Sequence, residues 1–297
     1  MQEILEEIVA ASRPFAAKGA PANYIPALAR VDPEKLGVAV VTADGREFVA
    51  GDADEPFSIQ SISKLFTLAL AMEWAPDRLW DRVKREPSGM RFNSLILIEQ
   101  EKGVPRNPFI NAGAIVVADA LYHHRPDIEL SFRAQMRLLA GDNAIQYDDE
   151  VHQSEIATGD MNRATAFALK AYGNLREDPM AVTKAYFHFC SLSMSARQLA
   201  RAAMFLVSPQ DTLMAQALGK HTTRLRAIMR TCGLYDQSGE FAYQVGLPAK
   251  SGVGGGILAV YPGKFAVCVW SPPLDEYGNS IAGTEALSRL VKHFPFY

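Results

Sequence analysis

Cysteine is scarce in this chain. Three occur in 297 residues, Cys190, Cys232 and Cys268, an odd number without CxxC spacing, which argues against both a disulfide framework and a zinc cage. The six histidines, at positions 123, 124, 152, 188, 221 and 293, form no HExxH pair, and the adjacent His123-His124 reads as a solvated helix end. Long apolar runs are also missing. The two longest, at 65–75 and 110–121, fall well short of the ~20 residues that a membrane-spanning helix needs. Charge of one sign is not in excess: 30 Lys and Arg face 33 Asp and Glu, a net charge of -3, so neither nucleic acid nor an anionic membrane is an expected partner. Glu3, Glu6 and Glu7 stand where an export signal would carry positive charge, so a cytoplasmic protein acting on a small molecule is expected. A Walker A loop is absent, since Gly263-Lys264 runs into Phe265, and so is a GxSxG elbow.

What is present is enough apolar content, 48%, to build a sizeable core in one large domain or two intimate ones. Residues 36–42 and 46–51 read as strands around the turn Ala43-Asp44-Gly45, and 257–261 and 265–270 as strands around Pro262-Gly263, a type II turn pair. A lone hairpin is marginal in water, so the two are expected to join one sheet. Between them the periodicity is helical, at 58–74, 111–123, 132–140, 162–172, 180–190, 196–206 and 222–231. Terminal helices at 2–17 and 284–293 can cover the sheet. The layout predicted is α/β (α+β): an antiparallel sheet flanked by helices, from 1–60 and 222–297, with a helical region at 61–221 inserted, the site lying between the two.

Ser61 and Lys64 stand three apart at the start of an apolar helix, with Ser58 placed to cap it, so their side chains share a face about one turn apart. That suits a nucleophile and its base. An ordinary lysine is about 0.04% neutral at pH 7, and making it half neutral takes about 4.6 kcal/mol, which burial can supply. Far downstream, just before the second hairpin, comes Lys250-Ser251-Gly252-Val253-Gly254-Gly255-Gly256. S-x-x-K followed by K-T-G is the pattern of serine β-lactamases and penicillin-binding proteins, and Lys250-Ser251-Gly252 is a near match in the right order. The glycines would let the Val253 N–H approach a substrate carbonyl as an oxyanion donor.

Four segments together, Gln60-Ser61-Ile62-Ser63-Lys64, the stretch 107–115 (NPFINAGAI), the stretch 185–191 (AYFHFCS) and the stretch 246–256 (GLPAKSGVGGG), resemble the glutaminase family of bacteria and animal mitochondria. The resemblance runs from Tyr24-Ile25-Pro26 to Ser271-Pro272-Pro273 and on to Asp275. It implies a fold related to the serine β-lactamases and hydrolysis of L-glutamine with no metal or organic cofactor. It further implies Ser61 as nucleophile, Lys64 as base, Tyr235 as second proton-handling group, and Val253 with the Ser61 N–H as oxyanion hole. Glu155 would hold the substrate ammonium, and Asn111, Asn162, Tyr186, Tyr24 and Gln60 its other polar groups. The family often carries Arg just before the second of these Asn residues, where this chain has Met161. A homo-oligomer, dimer or tetramer, is expected on the same ground. Two other readings stay open. A β-lactamase or D,D-peptidase would want a third motif, for which Tyr172-Gly173-Asn174 is in the right interval, and a non-catalytic amino-acid sensor would keep the same pocket.

Overall fold

Pairs of short β-rich runs separated by tight turns make the first and last hairpins. In the computed structural model, which describes residues 1–76, 78–90 and 93–294, β1 (Gly37–Thr42) and β2 (Glu47–Gly51) pair antiparallel around Gly45 at φ +82. Strands β7 (Gly256–Tyr261) and β8 (Phe265–Trp270) flank a turn closed by Lys264 N–H donating to Tyr261 O at 3.0 Å, with Gly263 at φ +74. The positive φ is what a type II turn asks of its third residue, and glycine meets it without strain. The hairpins meet along β1 and β8, in register from Gly37↔Trp270 to Thr42↔Phe265. A further strand, β6 (Ala249–Ser251), pairs with β7, giving the order β2-β1-β8-β7-β6. The sequence signal marks 249–251 only as a motif, because three residues are too few for a periodicity.

These strands are apolar on both sides. Ala39, Val41, Leu258, Val260, Ala266, Cys268 and Trp270 face one core, and Val38, Val40, Ile257, Ala259, Val267 and Val269 face another. Alternation with period 2 therefore separates two buried faces, and each needs its own helical cover. The second face is covered by α1 (Gln2–Ser12), through Leu5, Ile8 and Val9, together with the C-terminal helix through Leu287 and Leu290. The helix expected over 2–17 ends at Ser12 and continues as a 3-10 turn, Arg13–Lys18, in which Pro14 lacks an amide donor.

The first face packs on the helical region. In chain order the helices after α1 are α2 (Pro26–Ala29), α3 (Ser63–Trp74), α4 (Leu79–Arg82), α5 (Ile96–Gln100), α6 (Asn111–His124), α7 (Ile128–Ala140), α8 (Asp149–Thr158), α9 (Asp160–Ala171), α10 (Pro179–Cys190) and α11 (Ala196–Ala202). There follow α12 (Leu213–Gly219), α13 (Thr222–Cys232), α14 (Ser238–Gln244) and α15 (Ile281–Val291). Helix α3 is buried from Ser63 to Met72 and α6 from Asn111 to Leu121; a helix apolar on all sides belongs in the middle of a protein, and the two pack on each other.

Several boundaries differ from the sequence expectation. Ser58 is not a helix cap: it lies in β3 (Phe57–Ser58), which joins β5 (Leu192–Met194) and β4 (Gln146–Tyr147) in a small sheet ordered β3-β5-β4. Its hydroxyl donates to Cys190 O at 2.8 Å, a longer-range partner that outcompetes capping. The helix expected over 196–206 stops at Ala202 and resumes as a 3-10 turn, Met204–Leu206. Helix α15 starts at Ile281 instead of 284, capped by Ser280, whose hydroxyl accepts from Gly283 N–H at 3.1 Å.

Candidate active site

Phe57 in β3 stacks on Trp270 of β8, ring centroids 5.0 Å apart and planes 3° from parallel, so the small sheet is fastened to the large one. The chain leaves β3, passes through Gln60 in the left-handed region at φ +47, turns over Gln60–Ile62 and enters α3. A non-glycine residue there is strained, at a cost of order ~1–3 kcal/mol, and such strain concentrates at functional sites. It presents Ser61 at the mouth of α3, with Lys64 in the first turn.

The glycine-rich segment lies directly on this turn. A Cβ on Gly252 would come 2.7 Å from Ile59 O and 3.1 Å from Ser61 N, and one on Gly254 would come 2.2 Å from Ser58 O. Only glycine permits that approach, which puts Val253 beside Ser61 on a shared cavity wall. The loop is pinned: Gly252 N–H donates to Gly256 O at 2.9 Å, Gly255 N–H to Gly252 O at 2.9 Å, and Trp270 Nε1–H to Gly254 O at 3.0 Å.

Lys64 is buried, at 1% exposure, and its ammonium has no carboxylate within hydrogen-bonding distance among the described residues. Nζ donates to Asn111 Oδ1 at 2.6 Å and to Phe109 O at 3.3 Å. Burial pushes the amine down to about 8, only weakly opposed by Cys190 and Glu155. Asn111 opens α6 after an Asx turn in which Asn107 Oδ1 accepts from Phe109 N–H at 2.9 Å and Ile110 N–H at 3.1 Å. Its Oδ1 also accepts from the Tyr186 hydroxyl at 3.3 Å, and its Nδ2 donates to Asn162 Oδ1 at 2.9 Å, so α3, α6, α9 and α10 are tied through one side chain.

Glu155 sits on α8, 5% exposed; burial raises its carboxyl to about 7, with Gln60 and Lys64 pulling the other way. Gln60 donates to Ser58 Oγ at 3.0 Å. Tyr235 is buried at φ +55, its phenol raised by burial and held back by hydrogen bonding with Ser61 and Ser251. Under it lies Lys250, fully buried, with Nζ 4.4 Å from the Tyr235 ring centroid and donating to Gly233 O at 3.0 Å and Ser251 O at 2.6 Å. Burial, then the positive Lys64, drives the Lys250 amine well below its usual range.

The fold thus brings together the residues to which the family resemblance assigns a role. Tyr24, Gln60, Ser61, Asn111, Glu155, Asn162, Tyr186 and Val253 line one cavity of about 90 Å³, Lys64 joins through Asn111, and Tyr235 meets Ser61 from an adjoining cavity. Tyr24 stands at the rim, half exposed, and Met161 contributes to the wall. Asn93, which lines both cavities, carries no sequence signal; Lys250 does, as the first residue of a motif. The triplet Tyr172-Gly173-Asn174 ends α9, with Gly173 at φ +76 and Asn174 Nδ2 donating to Arg82 O at 2.8 Å and Gly103 O at 2.7 Å, so it braces loops instead of lining the cavity.

A buried lysine beside a serine on a turn packed against an antiparallel sheet is an arrangement shared with amidohydrolases of the β-lactamase-like fold. The glutaminase family model matches residues 19–297. A glutaminase of Aliivibrio salmonicida is 50% identical over 293 residues, 97% of this chain and 96% of the relative, and one of Shewanella loihica is 48% identical over 292 residues, again 97% and 96%. Among solved structures, a probable glutaminase of Bacillus subtilis superposes with TM-score 0.88 at 32% identity, covering 99% of this chain and 96% of that one. A probable glutaminase of the same organism complexed with 6-diazo-5-oxo-L-norleucine gives TM-score 0.84 at 33% identity, covering 98% and 94%. The chain belongs to the glutaminase family, enzymes that hydrolyse glutamine to glutamate.

Proposed function

We propose that hydrolysis of L-glutamine proceeds through a γ-glutamyl ester on Ser61, with Lys64 as the base. The observation that carries this reading is the Lys64 amine: buried, held by Asn111 and Phe109, and brought by burial to about 8 beside the turn that presents Ser61. Lys64 takes the Ser61 proton and Oγ attacks the side-chain amide carbon. The oxyanion rests on the N–H groups of Ser61 and Val253. Tyr235 passes a proton to the departing nitrogen, the C–N bond breaks and ammonia leaves; water then cleaves the ester to glutamate. Glu155 compensates the substrate ammonium, because an unpaired charge in so buried a cavity is costly, and Gln60, Asn111, Asn162, Tyr186 and Tyr24 serve the remaining polar groups.

Residues 1–60 with 222–297, and 61–221 between them, are read as two parts of one catalytic unit with the site at their seam. We also place the enzyme in the cytoplasm as a homo-oligomer of two or four chains. Three buried free cysteines suit a reducing compartment, and among the described residues no helix is long and apolar enough to cross a membrane. Light scattering coupled to gel filtration tests the assembly.

The decisive assay measures ammonia release from L-glutamine, L-asparagine and D-glutamine by the wild type and Ser61→Ala, beside a chromogenic β-lactam. Turnover of L-glutamine that disappears in Ser61→Ala is expected. A wild type that leaves L-glutamine untouched while opening the lactam would overturn the reading.

A further inference from the structure

The catalytic cavity adjoins a much larger one. Tyr24, Asn93 and Val253 line both, while Tyr235 lines only the larger. Glu155, Asn111, Asn162 and Tyr186, the groups for the amino-acid end of the substrate, line only the smaller. The larger cavity therefore opens on the Tyr235 side of the site, the side from which the proposed mechanism protonates the departing γ-amide nitrogen. Its volume is about 510 Å³. Ammonia is the size of a water molecule, whose share of liquid volume is about 30 Å³, so the space exceeds what that product needs by an order of magnitude.

The wall of this vestibule is built. Leu274 N–H donates to Ala20 O at 2.9 Å, Asp275 Oδ1 accepts from Tyr277 N–H at 2.9 Å and Asn279 N–H at 3.0 Å, and Asn279 Nδ2 donates to Gln237 Oε1 at 2.5 Å and Leu234 O at 3.3 Å. The turn at 275–279 is thereby tied to the segment that carries Tyr235. All the charged residues lining the cavity, Asp236, Asp275 and Glu276, are acidic. Asp275 is committed to its own turn, whereas Asp236 and Glu276 lie exposed at the surface of the vestibule.

We propose that this vestibule is a subsite for the amine side of the substrate, and that the enzyme also hydrolyses γ-glutamyl amides of cationic amines. The inference rests on the acyl-Ser61 reading. Ser61 Oγ attacks the γ-amide carbon, the C–N bond breaks, and the nitrogen takes a proton and leaves as a free amine whose distal ammonium lies near Asp236 and Glu276. Water then cleaves the ester, so the net reaction is amide plus water giving glutamate plus amine. Volume makes room for the chain, and the carboxylates favour one that ends in positive charge.

The test compares kcat/KM for L-glutamine, N5-butyl-L-glutamine and N5-(4-aminobutyl)-L-glutamine, with the wild type and with Asp236→Asn/Glu276→Gln. The aminobutyl amide is expected to be turned over about fivefold better than the butyl amide, the size of two partly exposed charge contacts. The double variant should bring the two amides level while leaving L-glutamine unchanged, and 1 M salt should do the same by screening. Turnover of L-glutamine with neither amide cleaved, or with both cleaved equally by the wild type, would overturn the subsite. Failure of L-glutamine itself would overturn the acyl-Ser61 reading, and the subsite with it.

Discussion

In the proposed mechanism, Lys64 concentrates the chemistry in a single side chain. With its amine near 8, about a tenth is neutral at pH 7, against about 0.04% for an ordinary lysine. If the neutral form is the base, as proposed, kcat/KM for L-glutamine should rise with pH and level off above an inflection near 8, with a slope of about tenfold per unit just below it that steepens below pH 7, where Glu155 loses its charge as well. Lys64→Arg should abolish turnover at every pH, since a guanidinium does not deprotonate in this range. Asn111→Asp offers a sharper check. A carboxylate 2.6 Å from Nζ favours the charged amine, so the inflection should move upward, whereas a merely structural lesion would lower the rate without moving it. Glu155 makes the opposite kind of demand. Its carboxyl is raised to about 7, so if Glu155 holds the substrate ammonium as proposed, the free enzyme loses that negative charge as pH falls through 7 and KM should climb; Glu155→Gln should show the high KM at all pH values.

At the scale of elements, the site depends on how closely the loop after β6 lies against the turn before α3. Gly252 is the contact point, and the methyl of Gly252→Ala would have to displace Ile59 O or Ser61 N. Overpacking of this kind costs about 1–3 kcal/mol, and moving Val253 and Ser61 apart would remove a proposed oxyanion donor, worth about 10²–10³ in kcat. Gly252→Ala should therefore keep a cooperative thermal melt while losing about that much kcat, as read by steady-state kinetics and calorimetry on the same sample. Helix α6 has a similar dependence at its start. A Cβ on Gly113 would come 1.9 Å from Asn107 O, in the Asx turn that aims Asn111. Gly113 and Asn107 are thus positional: they hold Asn111 where its Oδ1 meets the Lys64 ammonium.

For the whole molecule the relevant fact is that one sheet takes strands from both ends of the chain. Ala39 and Val41 of β1 and Ala266 and Cys268 of β8 share a core with α3, α6 and α11. If the two parts form one catalytic unit, the isolated segment 61–221 should not fold by itself: its apolar face would be open to water, and its circular dichroism should lack a cooperative transition on heating. A fragment that melts cooperatively would mean that the helical region is an independent domain.

The two hairpins, the two central helices and the order of the Ser61-Lys64 and Lys250-Ser251-Gly252 motifs were legible in the sequence, because turn residues, apolar runs and motif spacing are local properties of the chain. The short strands β3 to β6 were not, since two or three residues carry no period and Ser58 finds its partner 132 positions away. Among the site residues, Ser61 and Lys64 announce themselves by spacing, whereas without the family resemblance Glu155 reads as a solvated or capping residue, Asn162 as a cap or core residue and Tyr235 as an aromatic before a turn. What makes them a site is burial: the same carboxyl or amine that would titrate normally on an exposed helix is shifted once the protein removes it from water. Composition, hairpins and motif order were therefore decided by the chain itself, while the cavity, the displaced proton affinities and the acidic vestibule beside them were decided only by tertiary packing, because each depends on groups distant in sequence sharing one desolvated space.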